Sequence, residues 1–363
     1  MKITIIGGAR PNFMKIAPII HSLQLAQKTQ FNLSFRLVHT GQHYDTKMSG
    51  TFFDELNIPE PDVNLGVGSG TQAEQTANIM ILFEKELLSN PTDLVIVVGD
   101  VNSTMACSIV AKKLNAKVAH VEGGIRSYDI SMPEEINRMV TDSISDYFFT
   151  TSHIANENLL KLGIDDSRIY FVGNTMIDTL LANEHRLVAP SVFLNLDLEV
   201  GKYIVLTLHR PANVDDRETL KALLTEIIGN VGDVPVIFPI HPRTKKIYEE
   251  LDIQSPNLHI IDPLGYLEFN FLVKYAKAVI TDSGGITEES TVLGVPCLTL
   301  RNNTERPETC FIGTNELVGT DPKNLKPYLN KLFLGEWKKG NIPELWDGHA
   351  AERIVQYLLE MTI

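Results

Sequence analysis

Lys117-Val-Ala-His-Val-Glu-Gly-Gly-Ile-Arg-Ser-Tyr-Asp-Ile-Ser-Met-Pro-Glu-Glu-Ile-Asn-Arg138 is the stretch whose reading decides the fold. Its apolar opening reads as a buried strand, the run breaks at Gly123-Gly124, and a helix starts at Pro133, where the absent N–H would have had no partner anyway. Strand, turn and helix in that order make one unit of an open parallel sheet. Ligands of such sheets gather beyond the carboxyl ends of the strands, and Glu122 stands at such an end with no helix to cap. It therefore reads as a site residue. Glu134 and Glu135 fall in the helix's first turn, where acids also complement the macrodipole; that accounts for Glu135, while Glu134 fits either role.

The pattern repeats toward the amino terminus. Residues 2–6 are a strand, and Gly7-Gly8-Ala9-Arg10 turns it into a helix carrying Phe13, Ile16, Ile19 and Ile20 at apolar spacing. The unpaired N–H groups of such a start attract anions. Arg10 is the phosphate candidate there; Lys15, one turn on, is either a second one or a surface cation. The dinucleotide fingerprint G-x-G-x-x-G is absent. A strand over 35–39 leads to Gln42 and His43, which either line a crevice or are ordinary loop polarity. Loop formers crowd 60–70, where a mobile segment is expected, and a helix follows over 71–88. Residues 94–98 form a central strand ended by Gly99-Asp100. Asn102 or Ser103 is the expected cap of the next helix, and Asp100 either joins that cap or faces the same crevice as Glu122. Strands over 146–150 and 168–172 complete the sheet.

Alternation then restarts, with strands over 203–208, 236–240, 258–261, 278–281 and 295–300. The expected architecture is α/β, with two Rossmann-like doubly wound domains facing a cleft: 1–172, then 173–346, with a terminal helix in 347–363 packing back on the first. Asp282-Ser-Gly-Gly-Ile-Thr-Glu-Glu-Ser290 repeats the strand, glycine and helix logic. The N–H groups of Ser283, Gly284 and Gly285 suit a diphosphate. Glu289, so close to that anion, suits the two hydroxyls of a ribose, or belongs to a plain capping box around Ser283. His209 and His241 end successive strands, and Arg306 offers another positive charge from the loop 303–308.

Length and composition narrow the function. The 363 residues favour two domains, and the net charge of −13, with no long basic run, argues against nucleic acid and anionic membrane as partners. Cys107, Cys297 and Cys310 are widely spaced without a C-x-x-C, so neither a disulfide framework nor a zinc site is indicated. With no signal-peptide core and no apolar run of about 18 residues, the expected location is cytoplasmic.

Gly8-Ala-Arg-Pro-x-x-x-Lys15, Gly99-Asp100, His120-Val-Glu122, Pro133-Glu-Glu-x-Asn-Arg138, Gly173-Asn-Thr-x-x-Asp178, His209-Arg210, Asp282-Ser-Gly-Gly-x-x-Glu-Glu289 and Thr304-Glu-Arg-Pro-Glu308 occur in register. On these motifs, which run from Met1 to the final helix, the sequence resembles the non-hydrolysing UDP-N-acetylglucosamine 2-epimerases. The resemblance implies a GT-B-like fold, a homodimer, and interconversion of UDP-GlcNAc and UDP-ManNAc with neither metal nor nicotinamide cofactor. Carried over, Asp100, Glu122 and Glu134 match the catalytic acids. Arg10, His209, Ser283 to Gly285, Glu289 and Arg306 match UDP contacts, with Phe269 and the backbone near Leu264 beside the uracil; His209 is also counted with the catalytic residues, stabilising the leaving diphosphate. Two departures stand out: Gly123 replaces a common alanine, and His209-Arg-Pro-Ala-Asn213 lacks the glutamate of His-Arg-x-Glu-Asn, so activation by a second UDP-GlcNAc is not expected. Rival readings are a 2-epimerase of a UDP-2,3-diacetamido-hexuronate and a GT-B glycosyltransferase.

Overall fold

The computed structural model describes residues 1–30, 32–41, 53 and 55–361, with the side chain of Arg10 outside that set. The chain divides into two compact units, Met1–Ala182 with Glu344–Ile363, and Asn183–Pro343. Residues 173–182 thus stay with the first unit, beyond the change of domain expected at 172.

In the first unit, β1 (Lys2–Gly7), β2 (Ser34–His39), β3 (Val63–Asn64), β4 (Leu94–Val98), β5 (Lys117–Val121), β6 (Tyr147–Thr150) and β7 (Ile169–Phe171) form a sheet of order 3-2-1-4-5-6-7. Every pairing is parallel. Helices must therefore carry the chain back across both faces, which is why the central strands are continuous apolar runs; all five residues of β4 are buried. The order reverses between β1 and β4, the switch point where the carboxyl ends of such a sheet leave a crevice. Pairing of Val98 with Val121 sets Gly99-Asp100 beside Glu122-Gly123.

The second unit repeats this with β8 (Ile204–Thr207), β9 (Val236–Pro239), β10 (Leu258–Ile261), β11 (Ala278–Thr281), β12 (Cys297–Thr299) and β13 (Asn315–Leu317), in the order 10-9-8-11-12-13. Its pairings are parallel too, and its switch point lies between β8 and β11. Both units are Rossmann-like.

Three expectations change. The loop-rich 60–70 contains edge strand β3, paired to β2 through Val38 and Val63. Edge strand β13 was not expected at all. The helix after Asp100 spans Asn102–Lys113 with Val101 at its N-cap and no side-chain cap bond. Asn102 and Ser103 are buried inside it and bonded elsewhere: Asn102 Nδ2 donates to Gln72 Oε1 (2.7 Å) and Gln75 Oε1 (2.8 Å), and Ser103 Oγ meets Thr40 Oγ1 (2.7 Å).

The last helix, Ala350–Glu360, packs on Arg10–Gln27. Asp178 caps it, accepting from the N–H groups of Ala350 (3.1 Å) and Ala351 (2.7 Å), and Trp346 Nε1 donates to the Thr151 carbonyl (3.0 Å). Gly173 makes the approach possible: its φ is 96°, and a Cβ there would run into the Leu345 carbonyl. Among the described residues no helix is long and apolar enough to cross a membrane.

Candidate active site

Glu122 leaves β5 in the left-handed region, φ 71°, which a side chain rarely adopts and which costs on the order of 1–3 kcal/mol. The surroundings hold it there. Its N–H donates to the Phe149 carbonyl (2.9 Å), and its buried carboxylate accepts from Lys15 Nζ at 2.7 Å. Gly99 beside this pair takes φ 68°, a left-handed turn that a side chain would strain. Lys15, a candidate for the diphosphate, is thus joined to the foremost candidate acid. In the glycine turn ahead of it, the N–H groups of Gly8 (3.3 Å) and Ala9 (2.9 Å) both donate to Asn12 Oδ1. Arg10's expected phosphate contact concerns a side chain outside the described residues, as do Gln42 and His43.

Asp100, at the end of β4, is not a helix cap. Its carboxylate accepts from Arg138 Nη1 (2.5 Å) and its carbonyl from Asn137 Nδ2 (2.8 Å), both on the helix Pro133–Ile144. Glu135 does more than complement the dipole. It is buried, takes Arg138 Nε at 2.9 Å, and accepts from the N–H groups of Ser127 (3.0 Å) and Tyr128 (3.1 Å), so one carboxylate fixes both the loop and the arginine that holds Asp100. Glu134 is exposed on the first turn, and no bond among the described residues ties it to Asp100 or Glu122.

His120 lies under these acids. Nε2 faces the Gly99 carbonyl (2.8 Å) and Nδ1 faces Asp142 Oδ1 (2.6 Å), so both ring nitrogens are tied to oxygen partners. Burial pushes the Asp142 carboxyl up, but His120 and Arg126 (2.6 Å) outweigh it and hold it below its ordinary value. Asp142 also accepts from Gly124 N–H (3.0 Å). Sequence reading missed Arg138, Asp142 and Arg126. Only Arg138 carried a signal, as the last residue of the Pro133 motif.

In the second unit the loop after β8 closes over the end of β11. Buried Asp282 accepts from His209 Nδ1 (2.7 Å), Arg210 N–H (2.9 Å) and Asn213 Nδ2 (3.0 Å), and these outweigh burial to hold its carboxyl below the usual range. The His209 side chain remains 56% exposed. The helix Gly284–Val292 starts after Ser283, which makes no side-chain cap bond, so the capping box is absent. The Ser283 N–H, expected at the diphosphate, donates to Thr281 Oγ1 (3.0 Å). Gly284 and Gly285 keep the first-turn N–H groups that a helix leaves without an internal partner.

Glu289, one and a half turns in, accepts from Tyr266 Oη (3.0 Å) and Asn270 Nδ2 (3.4 Å), and burial pushes its carboxyl up to about 7. Tyr266 and Asn270 were not singled out in sequence. They share the helix Tyr266–Tyr275 with Phe269, which packs with Leu264 against the apolar cluster around Tyr203 and Val279. Arg306, expected to add charge at the diphosphate, is 4% exposed and pairs with buried Glu288. Its charge is therefore committed inside the unit. Among the described residues no group of three or more His, Cys, Asp or Glu gathers as a metal site.

The first unit therefore gathers fixed acids at its switch point, and the second gathers a helix start, a histidine and a buried glutamate at its own. The family model for UDP-N-acetylglucosamine 2-epimerase matches residues 24–359. The UDP-N-acetylglucosamine 2-epimerase of Methanocaldococcus jannaschii is 44% identical, over 99% of each chain. The UDP-2,3-diacetamido-2,3-dideoxy-D-glucuronate 2-epimerase of Pseudomonas aeruginosa is 38% identical, over 99% of this chain and 100% of that one. The crystal structure of M. jannaschii UDP-GlcNAc 2-epimerase in complex with UDP-GlcNAc and UDP is similar at a TM-score of 0.88 and 44% identity, covering 99% of this chain and 100% of that one. With two Rossmann-like parallel sheets and these relatives, the fold is GT-B-like, and the chain belongs to the UDP-N-acetylglucosamine 2-epimerase family.

Proposed function

We propose that this protein interconverts UDP-GlcNAc and UDP-ManNAc by eliminating UDP to 2-acetamidoglucal and adding it back. The observation that carries the reading is the pair of acids at adjacent strand ends, Glu122 fixed by Lys15 and Asp100 fixed by Arg138. The C2 hydrogen of the sugar has no carbonyl beside it, so removing it alone is too costly. When the C1–O bond breaks, its electron pair leaves with UDP, a carboxylate takes the C2 proton, and a C1=C2 double bond forms. In return, UDP oxygen attacks C1 while the proton reaches C2 from the other face. Two faces call for two proton-handling groups, and geometry favours Glu122 and Asp100, with Glu134 as the third candidate. Lys15 favours the ionised form of Glu122 that a base requires. Gly284 and Gly285 N–H groups and His209 are assigned to the diphosphate and Glu289 to the ribose, with Phe269 and Leu264 beside the uracil. Arg10 is kept as a phosphate contact on the family resemblance alone.

A homodimer in the cytoplasm is part of the proposal. The dimer rests on the resemblance, and the location is supported by Cys107, Cys297 and Cys310, which are all free thiols.

NMR of UDP-GlcNAc with the pure protein in deuterated water tests the chemistry. UDP-ManNAc should appear and deuterium should enter C2 in both sugars. Glu122→Gln should bind UDP yet lose at least about two orders of magnitude in kcat. An unlabelled C2 after turnover, full activity of Glu122→Gln, or preference for the diacetamido-hexuronate would each overturn this assignment.

A further inference from the structure

The helix Gly284–Val292 presents its first turn to a carboxylate of the protein itself. A Cβ on Gly284 would lie 2.7 Å from Glu305 Oε1, so the absent side chain is the room that Glu305 fills. Glu305 Oε2 lies 2.5 Å from Arg301 Nη2, and Oε1 lies 3.9 Å from Arg210 Nη2. Two guanidinium groups and a helix start therefore converge on one carboxylate, the surroundings a phosphate group would seek. Arg301 supplies a second, independent sign. Its side chain is 4% exposed, yet Nη1 is buried without a hydrogen-bond partner among the described residues and lies 3.8 Å from that same Cβ position. A buried N–H left without an acceptor is costly, so Arg301 Nη1 has a donor to offer an acceptor oxygen that Glu305 does not supply.

We propose that Glu305 is an internal placeholder for a phosphate group of the nucleotide, and that Arg301 is a further diphosphate-binding residue. This deepens the epimerase reading and rests on it. Glu305 balances Arg301 and Arg210; an arriving diphosphate displaces it and supplies an acceptor for Arg301 Nη1. A tethered carboxylate competes at high effective concentration. Weakly held single phosphates are therefore kept out, while a ligand that is also gripped through its nucleoside succeeds. The device selects for nucleoside diphosphates over free phosphate.

Calorimetric titration of full-length wild type, Glu305→Gln and Arg301→Gln with UDP, pyrophosphate and inorganic phosphate decides the matter. Removing one negative charge a few ångströms from the ligand should tighten UDP and inorganic phosphate by about tenfold in Glu305→Gln, more at low salt, and Arg301→Gln should weaken both UDP and pyrophosphate by a similar factor. No tightening in Glu305→Gln overturns the proposal. A crystal of wild type with UDP gives a readout independent of variant folding: Glu305 moved away from Gly284 supports the placeholder, and Glu305 still against Gly284 beside bound UDP refutes it. Wild type that ignores UDP would instead sink the epimerase reading, while pyrophosphate would still decide the role of Glu305.

Discussion

Burial holds the Glu289 carboxyl at about 7 although Tyr266 and Asn270 both donate to it. Its value in the unfolded chain is near 4.5, so the folded state binds the proton more tightly. The stability is then whole below about pH 4.5 and falls as pH rises toward 7, by up to roughly 3 kcal/mol. Glu289→Gln should raise the urea midpoint at pH 8 and leave it nearly unchanged at pH 5; an equal gain at both would show that Glu289 is ionised throughout. Glu308, also pushed up to about 7 by burial, should retain part of the slope in that variant. At this scale the strand-end acids were legible, because an acid after an apolar run has few structural duties. Their partners were not: Lys15 is 107 residues from Glu122 and Arg138 is 38 from Asp100, and no local pattern spans such gaps. The pairing of Arg306 with Glu288 was hidden for the same reason.

The clearest strands in the sequence are those buried on both faces, such as β4 and β11, where all residues are apolar or Thr; edge strands β7 and β10 were legible as well, from their runs of apolar and aromatic residues. Edge strands β3 and β13, of 2 and 3 residues, carry Asn64, Asn315 and Glu316 and give no periodic signal. Caps were less readable than strands: the helix Asn102–Lys113 starts without one, while Ala350–Glu360 is capped from a distance by Asp178. Asp178 is raised to about 6 by burial, against its two backbone donors. Replacing it with alanine should cost about 1–2 kcal/mol, read as faster hydrogen exchange in 350–360 with the sheet amides little changed. Uniform loss of protection across the first unit would show that the helix is not separable from the core.

Across the whole molecule, each unit owns one of the two tryptophans. Trp337, half-buried, donates to the Thr314 carbonyl at 2.8 Å in the second unit, and Trp346 belongs to the first. A ligand held by the second unit stabilises it by mass action, about 2.7 kcal/mol at a hundredfold excess over Kd. UDP should therefore raise the Trp337-reported unfolding temperature more than the Trp346-reported one. Trp337→Phe, which leaves one indole, separates the signals, and identical shifts would mean the units unfold together. The alternation of strand and helix was enough to foresee two Rossmann-like units. The course of the chain past residue 172 was not, because Gly173 and Leu345 come together only once the fold exists.

The cap on Asp178 and the anchoring of Trp346 also order events at birth. Residues 183–343 leave the ribosome as one uninterrupted piece with their sheet complete. The unit bearing Glu122 and Asp100 is complete only once residues 344–360 have emerged and Ala350 and Ala351 can reach their acceptor. A premature stop just upstream of Trp346 would spare the second unit and leave the acid-bearing first unit unfinished.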